Sequence, residues 1–401
     1  MVLVFAACGG KTDGESTTTT ADTTGTGLSI PADFKIGIIL LHDENSTYDK
    51  NFIDAAKAVQ AKLGLKDEQV IFKSNVPEGK DCYETAAELV DLKCKIVFAD
   101  SFGHESYMME AAREFPEVQF CHATGINAKT ANLPNYHNAF AHIYEGRFLA
   151  GVAAGMKLNK MIEDGKITAD KAKMGYVGAY PYAEVISGLT SFYLGAKYIC
   201  PTVTMDVKYT NSWFDIAKEK EAAQAFITDG CVLISQHADS EGAPKACEEA
   251  KIPNVAYNVN TIAIAPESAL ISSKIDWAPY FELIITNYVK GDKIPVDWCG
   301  GIKEGSVALT ELNEKVAAPG TKEKIEEVKA KLVSGELKVF DTSTFTVDGK
   351  KLTSAMADVI PDEKFEKDTE AIKDGYFSES EFRSAPYFDI QIDGITGAIP
   401  K

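Results

Sequence analysis

Polar and aromatic side chains are concentrated at the points where apolar runs of the sequence end. Aromatic faces stack on planar or sugar rings, while Asp, Asn and Gln recognise patterns of hydroxyl groups and ring nitrogens. These residue types therefore predict a site that recognises a small molecule by stacking and hydrogen bonding. The residues that follow the apolar runs are His42, Asp43, Asn45, Ser46, Thr47, Tyr48, Asp49 and Phe52, then Asp100, Ser101, Phe102, Gly103 and His104, then His122 and Thr124, then Tyr180 and Tyr182, then Asn211, Ser212, Trp213 and Phe214, then Gln236, His237, Asp239 and Ser240, then Asn258, Asn260 and Thr261, then Ser272, Ser273, Lys274, Asp276 and Trp277.

Catalytic alternatives find little support in the same residues. His237, Asp239 and Ser240 are neighbours in sequence, but a catalytic triad is assembled in space, so their adjacency does not predict one. The chain has no G-x-S-x-G, G-x-x-x-x-G-K-[ST] or H-E-x-x-H motif. A carboxylate pair such as Asp100 and Asp239 fits acid–base hydrolysis, but ligand recognition explains it equally well. We therefore expect a binding protein, with a nucleoside hydrolase as the alternative.

Metal and redox sites are not expected either. His42, His104, His122 and His237 lie in different loops and lack the spacing of metal ligands. No two of the eight cysteines form C-x-x-C, which argues against a zinc ribbon or a thioredoxin-like site. Cysteines 94, 121 and 231 lie in or beside apolar runs, and we expect them to be small core residues. The sequence therefore predicts no metal and no cofactor.

Alternating strands and helices would position these side chains. The strands are predicted at 34–41, 69–76, 95–100 and 117–125, and again at 173–180, 202–210, 231–237 and 253–259. The helices are predicted at 49–63, 81–92 and 104–114, and again at 143–160, 182–196, 215–228 and 241–250. This order predicts two α/β lobes, each with a doubly wound parallel sheet, and a cleft at the carboxyl ends of the strands. The strand 269–275 and the helix 277–290 are predicted to return to the first lobe.

Composition restricts the classes of partner. The 401 residues are 45% hydrophobic, which is enough for two domains. The net charge of −18 disfavours binding to nucleic acid or to anionic lipid. Beyond the N-terminus, no apolar run approaches the ~18 residues that a membrane span needs.

The N-terminus predicts export and membrane attachment. Residues 1–8, MVLVFAAC, resemble the end of a lipoprotein signal peptide, in which the cysteine, here Cys8, becomes acylated. Residues 9–30 are rich in Thr and Gly and predict a flexible tether, because they have almost nothing to bury. We therefore expect a chain that is lipid-anchored to the extracytoplasmic face of the cell membrane.

Six stretches together resemble one known family, the basic membrane protein family of ABC-importer substrate-binding lipoproteins, of the purine-nucleoside receptor type. They are STYDKNFIDAA (46–56), FADSFGH (98–104), NAFAHIYEGRFLAGVAAG (138–155), YTNSWFDIAKEKEAA (209–223), LISQHADS (233–240) and DGITGAI (393–399). The resemblance implies a type I periplasmic-binding-protein fold with a hinge and a central cleft, no catalysis, and delivery of a small molecule to permease subunits. We expect a monomer.

The resemblance also implies roles for particular residues. A purine ring is expected between Phe52 and Trp213, with Asp100 reading the base. Asn258 or Asn260 stands where the family has an Asp for the ribose hydroxyls, and Lys274 follows nearby. The remaining expected site residues are Asp49, Ser101, Phe102, His237, Asp239 and Trp277. Because Asn replaces Asp and Trp277 departs from the family pattern, a free nucleobase or a pentose-like sugar stays open, as does a sensory or adhesive surface lipoprotein.

The predicted domain organisation follows from these elements. The first lobe comprises 31–140 and about 265–315, the second comprises 141–264 and about 316–345, and residues 346–401 form a C-terminal extension that packs on the lobes.

Overall fold

A computed structural model describes residues 28–361 and 366–400 of the chain. The predicted signal segment 1–8 with Cys8, and residues 9–27 of the tether, lie outside the described residues. Within the described part, no helix is both long enough and apolar enough to span a membrane.

The regular elements alternate for most of the chain. In chain order they are β1 (Ile36–Ile39), α1 (Thr47–Leu63), β2 (Val70–Lys73), α2 (Lys80–Asp91), β3 (Ile96–Ala99), α3 (Glu105–Glu114), β4 (Gln119–Ala123), β5 (Tyr136–Ala141), α4 (Ile143–Glu163), β6 (Lys173–Gly178), α5 (Ala183–Ile199), β7 (Thr204–Tyr209), α6 (Ile216–Thr228), β8 (Leu233–His237), α7 (Gly242–Ala250), β9 (Asn254–Tyr257), β10 (Ala269–Ile275), α8 (Ala278–Lys290), β11 (Asp297–Gly300), β12 (Val307–Leu309), α9 (Thr321–Ser334), β13 (Met356–Ala357), β14 (Thr369–Glu370), β15 (Ile372–Lys373), β16 (Tyr376–Phe377) and β17 (Ile395–Thr396). Short 3₁₀ turns lie at Asp67–Gln69, Phe102–His104 and Ala169–Lys171.

The first lobe is a parallel sheet covered by helices on both faces. Its strand order is β11-β5-β4-β3-β1-β2, and every neighbouring pair is parallel. Helices α1 and α8 pack together on one face, and α2 and α3 on the other. The inner strands β1 and β3 are buried on both sides, which explains their continuous apolar runs in the sequence, whereas the edge strands β2 and β11 are only partly buried.

The second lobe repeats this plan with one antiparallel edge. Its strand order is β12-β10-β9-β8-β6-β7-β17, and only the β10–β12 pair is antiparallel. Helices α4, α5 and α9 cover one face, and α6 and α7 the other. The two-lobed α/β architecture expected from the sequence is therefore confirmed.

The prediction that strand 269–275 belongs to the first lobe is wrong. This strand, β10, pairs with β9 through Ser272↔Ala256 and Ser273↔Tyr257, and so lies in the second sheet. The chain returns to the first lobe only with α8 and β11, and leaves it again before β12. An apolar strand that is buried on both faces fits either sheet, so its sequence alone does not assign it to one.

The segment from residue 346 onward contacts both lobes. Asp348 and Gly349 both have positive φ, and a bridge joins Val347 to Lys350, which is the geometry of a tight hairpin turn. Strand β17 extends the second sheet beside β7. In the first lobe, Ser384 donates a hydrogen bond to Asp297 at 2.5 Å.

Cysteine burial agrees with the sequence analysis. Cys94, Cys121 and Cys231 are buried, and the cysteines of the described segments are free thiols. Burial raises the pKa of Cys94 to about 11, so this thiol is protonated at neutral pH.

Candidate ligand-binding cleft

The carboxyl ends of the two sheets face each other, and the lobes touch there. The backbone N–H of Thr47 in the first lobe donates to the carbonyl of Asp239 in the second at 2.9 Å. The His42 and Phe214 rings lie 5.5 Å apart across the same boundary, and the Phe102 and Tyr182 rings 5.9 Å. The cleft is thus bounded on both sides by aromatic contacts between the lobes.

A small cavity of about 20 Å³ remains between the lobes, which is room for one water molecule. It is lined by residues from both lobes, namely Leu41, His42, Tyr48, Asp49, Ser101, Phe102, Thr124, Glu184, Trp213, His237 and Asp239. Among the predicted site residues, the structure therefore brings together Asp49, Ser101, Phe102, Trp213, His237 and Asp239. A ligand larger than water requires the lobes to separate.

Asp49 is held at the start of α1 by a local hydrogen-bond network. Ser46 is the N-cap of α1: its hydroxyl accepts from the Asp49 N–H and donates to the Asp49 carboxylate at 2.5 Å. The backbone N–H of His42 donates to the other oxygen of Asp49 at 2.8 Å. Burial opposes ionisation of Asp49, but the hydrogen bonds from His42 and Ser46 outweigh it and lower its pKa. Asp49 is therefore an ionised carboxylate at the cavity at neutral pH.

Asp100 lies directly behind Asp49, and its pKa is shifted in the opposite direction. It is fully buried, and one of its oxygens accepts from the Leu41 N–H at 3.1 Å. Burial and the neighbouring negative charge of Asp49 raise the pKa of Asp100 well above its ordinary value. The backbone carbonyl of Asp100 accepts from the Tyr48 hydroxyl at 2.7 Å. Asp100 therefore supports Tyr48 and Asp49 instead of lining the cavity itself.

The second lobe contributes an indole and a buried acid–imidazole pair. Trp213 packs edge-on against Tyr180 at 5.2 Å, and the Trp213 carbonyl accepts from the Asp239 N–H at 2.8 Å. His237 Nε2 lies 3.5 Å from Glu184. Burial lowers the pKa of His237 well below its ordinary value, and the nearby Arg147 lowers it further. The imidazole is therefore neutral at physiological pH.

Carboxyl groups dominate the charge around the cavity. Burial raises the pKa of Glu184 to about 7, although the positive charge of Arg147 opposes the shift. Burial and the negative charge of Glu219 raise the pKa of Asp239 well above its ordinary value. A site of this kind disfavours anionic ligands and offers both neutral and ionised carboxyl groups for hydrogen bonding.

Phe52 and Trp277, which the sequence predicts as site residues, lie outside this cavity. Their rings stack on each other at 4.5 Å inside the first lobe, where Phe52 is 0% and Trp277 1% exposed. Tyr48 and Phe52 lie one turn apart on the same face of α1, and their rings meet edge-on at 4.9 Å, with Tyr48 at the cavity and Phe52 deeper, against Trp277. Tyr48 is therefore the first-lobe aromatic residue that lies closer to the cleft.

The residues expected to read a ribose also lie outside the cavity. Asn258 is buried at the end of β9, and its backbone N–H donates to the Ser273 carbonyl at 2.9 Å. Asn260 is exposed and accepts from the Ile262 N–H at 2.9 Å within a turn. Lys274 lies within β10 opposite Ala308.

Sequence reasoning missed Glu184 because it stands in the first turn of α5 and not directly at a strand end. The same rule, extended to the first turn of the helix after β6, would have found it. His104 and His122 do not line the cavity: His104 bonds to the Val76 carbonyl at 3.0 Å and His122 to the Ser101 carbonyl at 2.7 Å. Within 28–361 and 366–400, no group of three His, Cys, Asp or Glu side chains is placed to hold a metal ion.

Comparison with known proteins adds to this geometry. Residues 39–343 match the family model Bmp, described as ABC transporter substrate-binding protein PnrA-like. The purine-binding protein BAB2_0673 of Brucella abortus (strain 2308) is 33% identical over 80% of this chain and 87% of its own. The putative ABC transporter glucose-binding protein TsgA13 of Haloferax volcanii is 30% identical over 62% of this chain and 60% of its own.

A solved structure shows the same fold at low sequence identity. An ABC transporter solute-binding protein from Aeropyrum pernix K1 superimposes with a TM-score of 0.64 and 17% identity, over 76% of this chain and 92% of that one. The extent of the family match and the identity to the Brucella abortus protein lead to one conclusion: the chain belongs to the Bmp family of PnrA-like substrate-binding proteins, and it is the extracytoplasmic substrate-binding protein of an ABC transporter rather than an enzyme.

Proposed function

We propose that this substrate-binding protein captures a purine nucleoside or nucleobase between its lobes and delivers it to the permease. The observation that carries the proposal is the interlobe cavity lined by Trp213 and Tyr48 together with the carboxyl groups of Asp49 and Asp239. An indole and a phenol provide faces for a planar ring, and the carboxyl groups provide partners for its N–H and ring-nitrogen edges. The name of the Brucella abortus relative points to the same ligand class.

Capture requires the lobes to open and then to close over the ligand. Opening breaks the Thr47–Asp239 backbone hydrogen bond and separates the His42 and Phe214 rings. Closing restores these contacts only if the ligand fits between them, so a ligand that touches both lobes shifts the equilibrium towards the closed arrangement. Stacking of a base on an aromatic side chain is worth about 1–3 kcal/mol. Trp213 is the cavity residue best suited to supply this energy.

Thermal unfolding of the full chain carrying Cys8→Ser, measured with purine nucleosides, nucleobases and sugars, tests the proposal. A ligand that binds only the folded chain adds ~2.7 kcal/mol of stability at a hundred times its dissociation constant. We expect purines to raise the midpoint, and Trp213→Ala to weaken their binding about 5- to 150-fold. Trp298→Ala is the matched control, because Trp298 is partly buried on β11 and lies outside the cavity.

Two outcomes would contradict the purine proposal. A rise of the unfolding midpoint with sugars alone would indicate a sugar ligand, the class that the name of the Haloferax volcanii relative suggests. A shift with no compound would favour a sensory or adhesive lipoprotein.

Attachment at the membrane is part of the same proposal. Acylation of Cys8 and the Thr- and Gly-rich tether would keep a monomeric carrier beside the permease. The Cys8→Ser chain is then expected in the soluble fraction of cells and the unaltered chain in the membrane fraction, and an equal distribution of the two would contradict lipid anchoring.

A further inference from the structure

Residues 379–384 of the C-terminal extension, here called the strap, cross from the second lobe to the first. At one end, the Glu379 carboxyl group accepts a hydrogen bond from the Ser187 hydroxyl at 2.5 Å. At the other end, the Ser384 hydroxyl donates to Asp297 at 2.5 Å, and the Ser384 backbone N–H donates to the second oxygen of Asp297 at 2.8 Å. Ser187 lies on α5 of the second lobe and Asp297 on β11 of the first, so the strap connects the two bodies that separate when the cleft opens.

The anchor of the strap in the first lobe is buried and involves several groups. The Asp297 side chain is 4% exposed, and Ser384 is also buried. Asn138 of β5 donates from Nδ2 to the Ser384 hydroxyl at 2.9 Å, and Lys129 donates to the Phe382 carbonyl at 2.6 Å. A buried hydrogen bond that is broken without replacement leaves both of its groups desolvated and unpaired. The anchor therefore resists removal from the first lobe.

The strap has little slack, because the residues between its two ends are themselves held. The Arg383 guanidinium donates to the carbonyls of Val359 and Ala385 at 3.0 and 3.2 Å. The Tyr387 hydroxyl accepts from the Glu381 N–H at 3.0 Å. After this crossing the chain returns to the second lobe, where β17 pairs with β7. The extension thus reaches out of the second lobe, holds the first lobe at one point, and goes back.

We propose that the strap ties the two lobes together and that one of its two anchors must release before the cleft opens. Ser187 and Asp297 belong to different lobes, so a hinge rotation displaces one against the other, and a short strap of fixed shape does not follow both. Release and re-formation of the strap then set how fast a ligand enters and leaves the cleft. The extension follows residues 39–343, the part of the chain that matches the Bmp family model. The inference holds for any ligand of the cleft.

The Thr47 amide reports on the opening that the strap is proposed to resist. Thr47 is the first residue of α1, so its N–H has no partner within the helix, and it donates to the Asp239 carbonyl of the other lobe at 2.9 Å. Hydrogen–deuterium exchange of this amide, in the full chain carrying Cys8→Ser and without ligand, therefore measures how often the lobes separate. The Val76 N–H donates to the Leu40 carbonyl inside the first lobe at 3.0 Å and is the internal reference.

Two variants release the strap from opposite ends. Ser187→Ala removes the anchor in the second lobe, and Asp297→Ala removes the anchor in the first lobe. We expect each variant to speed exchange of the Thr47 amide by about tenfold or more, because a buried hydrogen bond no longer opposes opening. Exchange of the Val76 amide should stay unchanged, because its hydrogen bond lies within one lobe.

Ser191→Ala is the matched control for this experiment. Ser191 is buried one turn after Ser187 on α5, and its hydroxyl bonds to the Gly188 carbonyl of the same helix, so exchange of the Thr47 amide should match that of the unaltered chain.

Three results would overturn the role of the strap. The first is unchanged exchange of the Thr47 amide in the folded anchor variants. The second is equal acceleration at Thr47 and Val76, which would show a general loss of stability. The third is acceleration in only one folded anchor variant, because a tie fails when either end is released. If one variant does not fold, the other decides. No ligand is added, so the result is independent of the purine proposal.

Discussion

Glu379 links the C-terminal extension to the pH dependence of stability. It is 1% exposed and accepts hydrogen bonds from the Ser187 hydroxyl at 2.5 Å and from Ser380. Burial raises the pKa of Glu379 from 4.5 to about 7, although both hydroxyl groups oppose the shift. The folded chain therefore holds a proton on Glu379 in a range of pH where the unfolded chain has released it.

The sign of the effect follows from proton linkage. An acid whose folded pKa lies above its unfolded pKa makes its full contribution at acidic pH, and this contribution is lost as the pH rises from the unfolded value towards the folded one. With the two pKa values of Glu379, the loss of unfolding free energy between pH 5 and pH 7 is about 2 kcal/mol. Glu379→Gln keeps the acceptor for Ser187 and cannot ionise, so it removes this loss.

Urea unfolding at pH 5 and pH 7 measures the difference. We expect the unaltered chain to lose about 2 kcal/mol more between the two pH values than Glu379→Gln does. Other buried carboxyl groups, such as Asp100, Asp239 and Glu184, remain in both proteins, so their contributions cancel in the comparison. Glu381→Gln is the control, because Glu381 is an exposed neighbour in the same extension. Equal losses in the unaltered chain and Glu379→Gln would refute the reasoning.

Two further predictions concern packing. A Cβ at Gly195 would stand 2.0 Å from the Phe148 carbonyl oxygen, so Gly195→Ala forces α4 and α5 apart and should lower the free energy of unfolding in urea by about 1–3 kcal/mol. The control is Gly79→Ala, whose added methyl group meets open space and should change the free energy of unfolding by less than about 0.5 kcal/mol. Equal effects of the two substitutions would argue against the close contact between the helices. Ser384→Ala removes the hydrogen bonds of the Ser384 hydroxyl with Asp297 and Asn138, so the C-terminal extension should be cut sooner in limited proteolysis than in Ser354→Ala, whose lost bond to Glu370 is exposed. Equal rates would show that the Ser384 hydroxyl does not hold the extension.

The helix limits were largely predictable because local chemistry determines them. Helix α1 begins after the cap residue Ser46 and ends at Gly64, whose φ of 67° favours glycine, and both residues are visible in the sequence. The strand β5 was missed because Tyr136, His137 and Asn138 interrupt its apolar character, yet all three are buried and hydrogen-bonded. A strand that carries buried, hydrogen-bonded polar side chains lacks the continuous apolar pattern from which buried strands are predicted.

The site was predictable only in part, because the position of a residue after a strand does not determine where its side chain points. Asp49, Trp213 and Asp239 were predicted and line the cavity, since each lies in the loop or first turn that follows a strand. Phe52 was expected beside them, but its ring stacks on Trp277 in the core of the first lobe. Strand β10 belongs to the second sheet because it pairs with β9, and Lys274 therefore lies in the second lobe. Pairing between separate strands cannot be predicted from the sequence of one strand alone.

Asp49 and Asp100 are neighbouring carboxyl groups of the first lobe whose pKa values shift in opposite directions. Two adjacent buried carboxyl groups do not both ionise readily: the hydrogen bonds of His42 and Ser46 lower the pKa of Asp49, while burial and the Asp49 charge raise the pKa of Asp100 well above its ordinary value. The negative charge of Asp49 therefore lies at the cavity surface, and behind it the backbone carbonyl of Asp100 accepts from the Tyr48 hydroxyl. A phosphate group would meet this negative charge, and no Lys or Arg is among the residues that line the cavity.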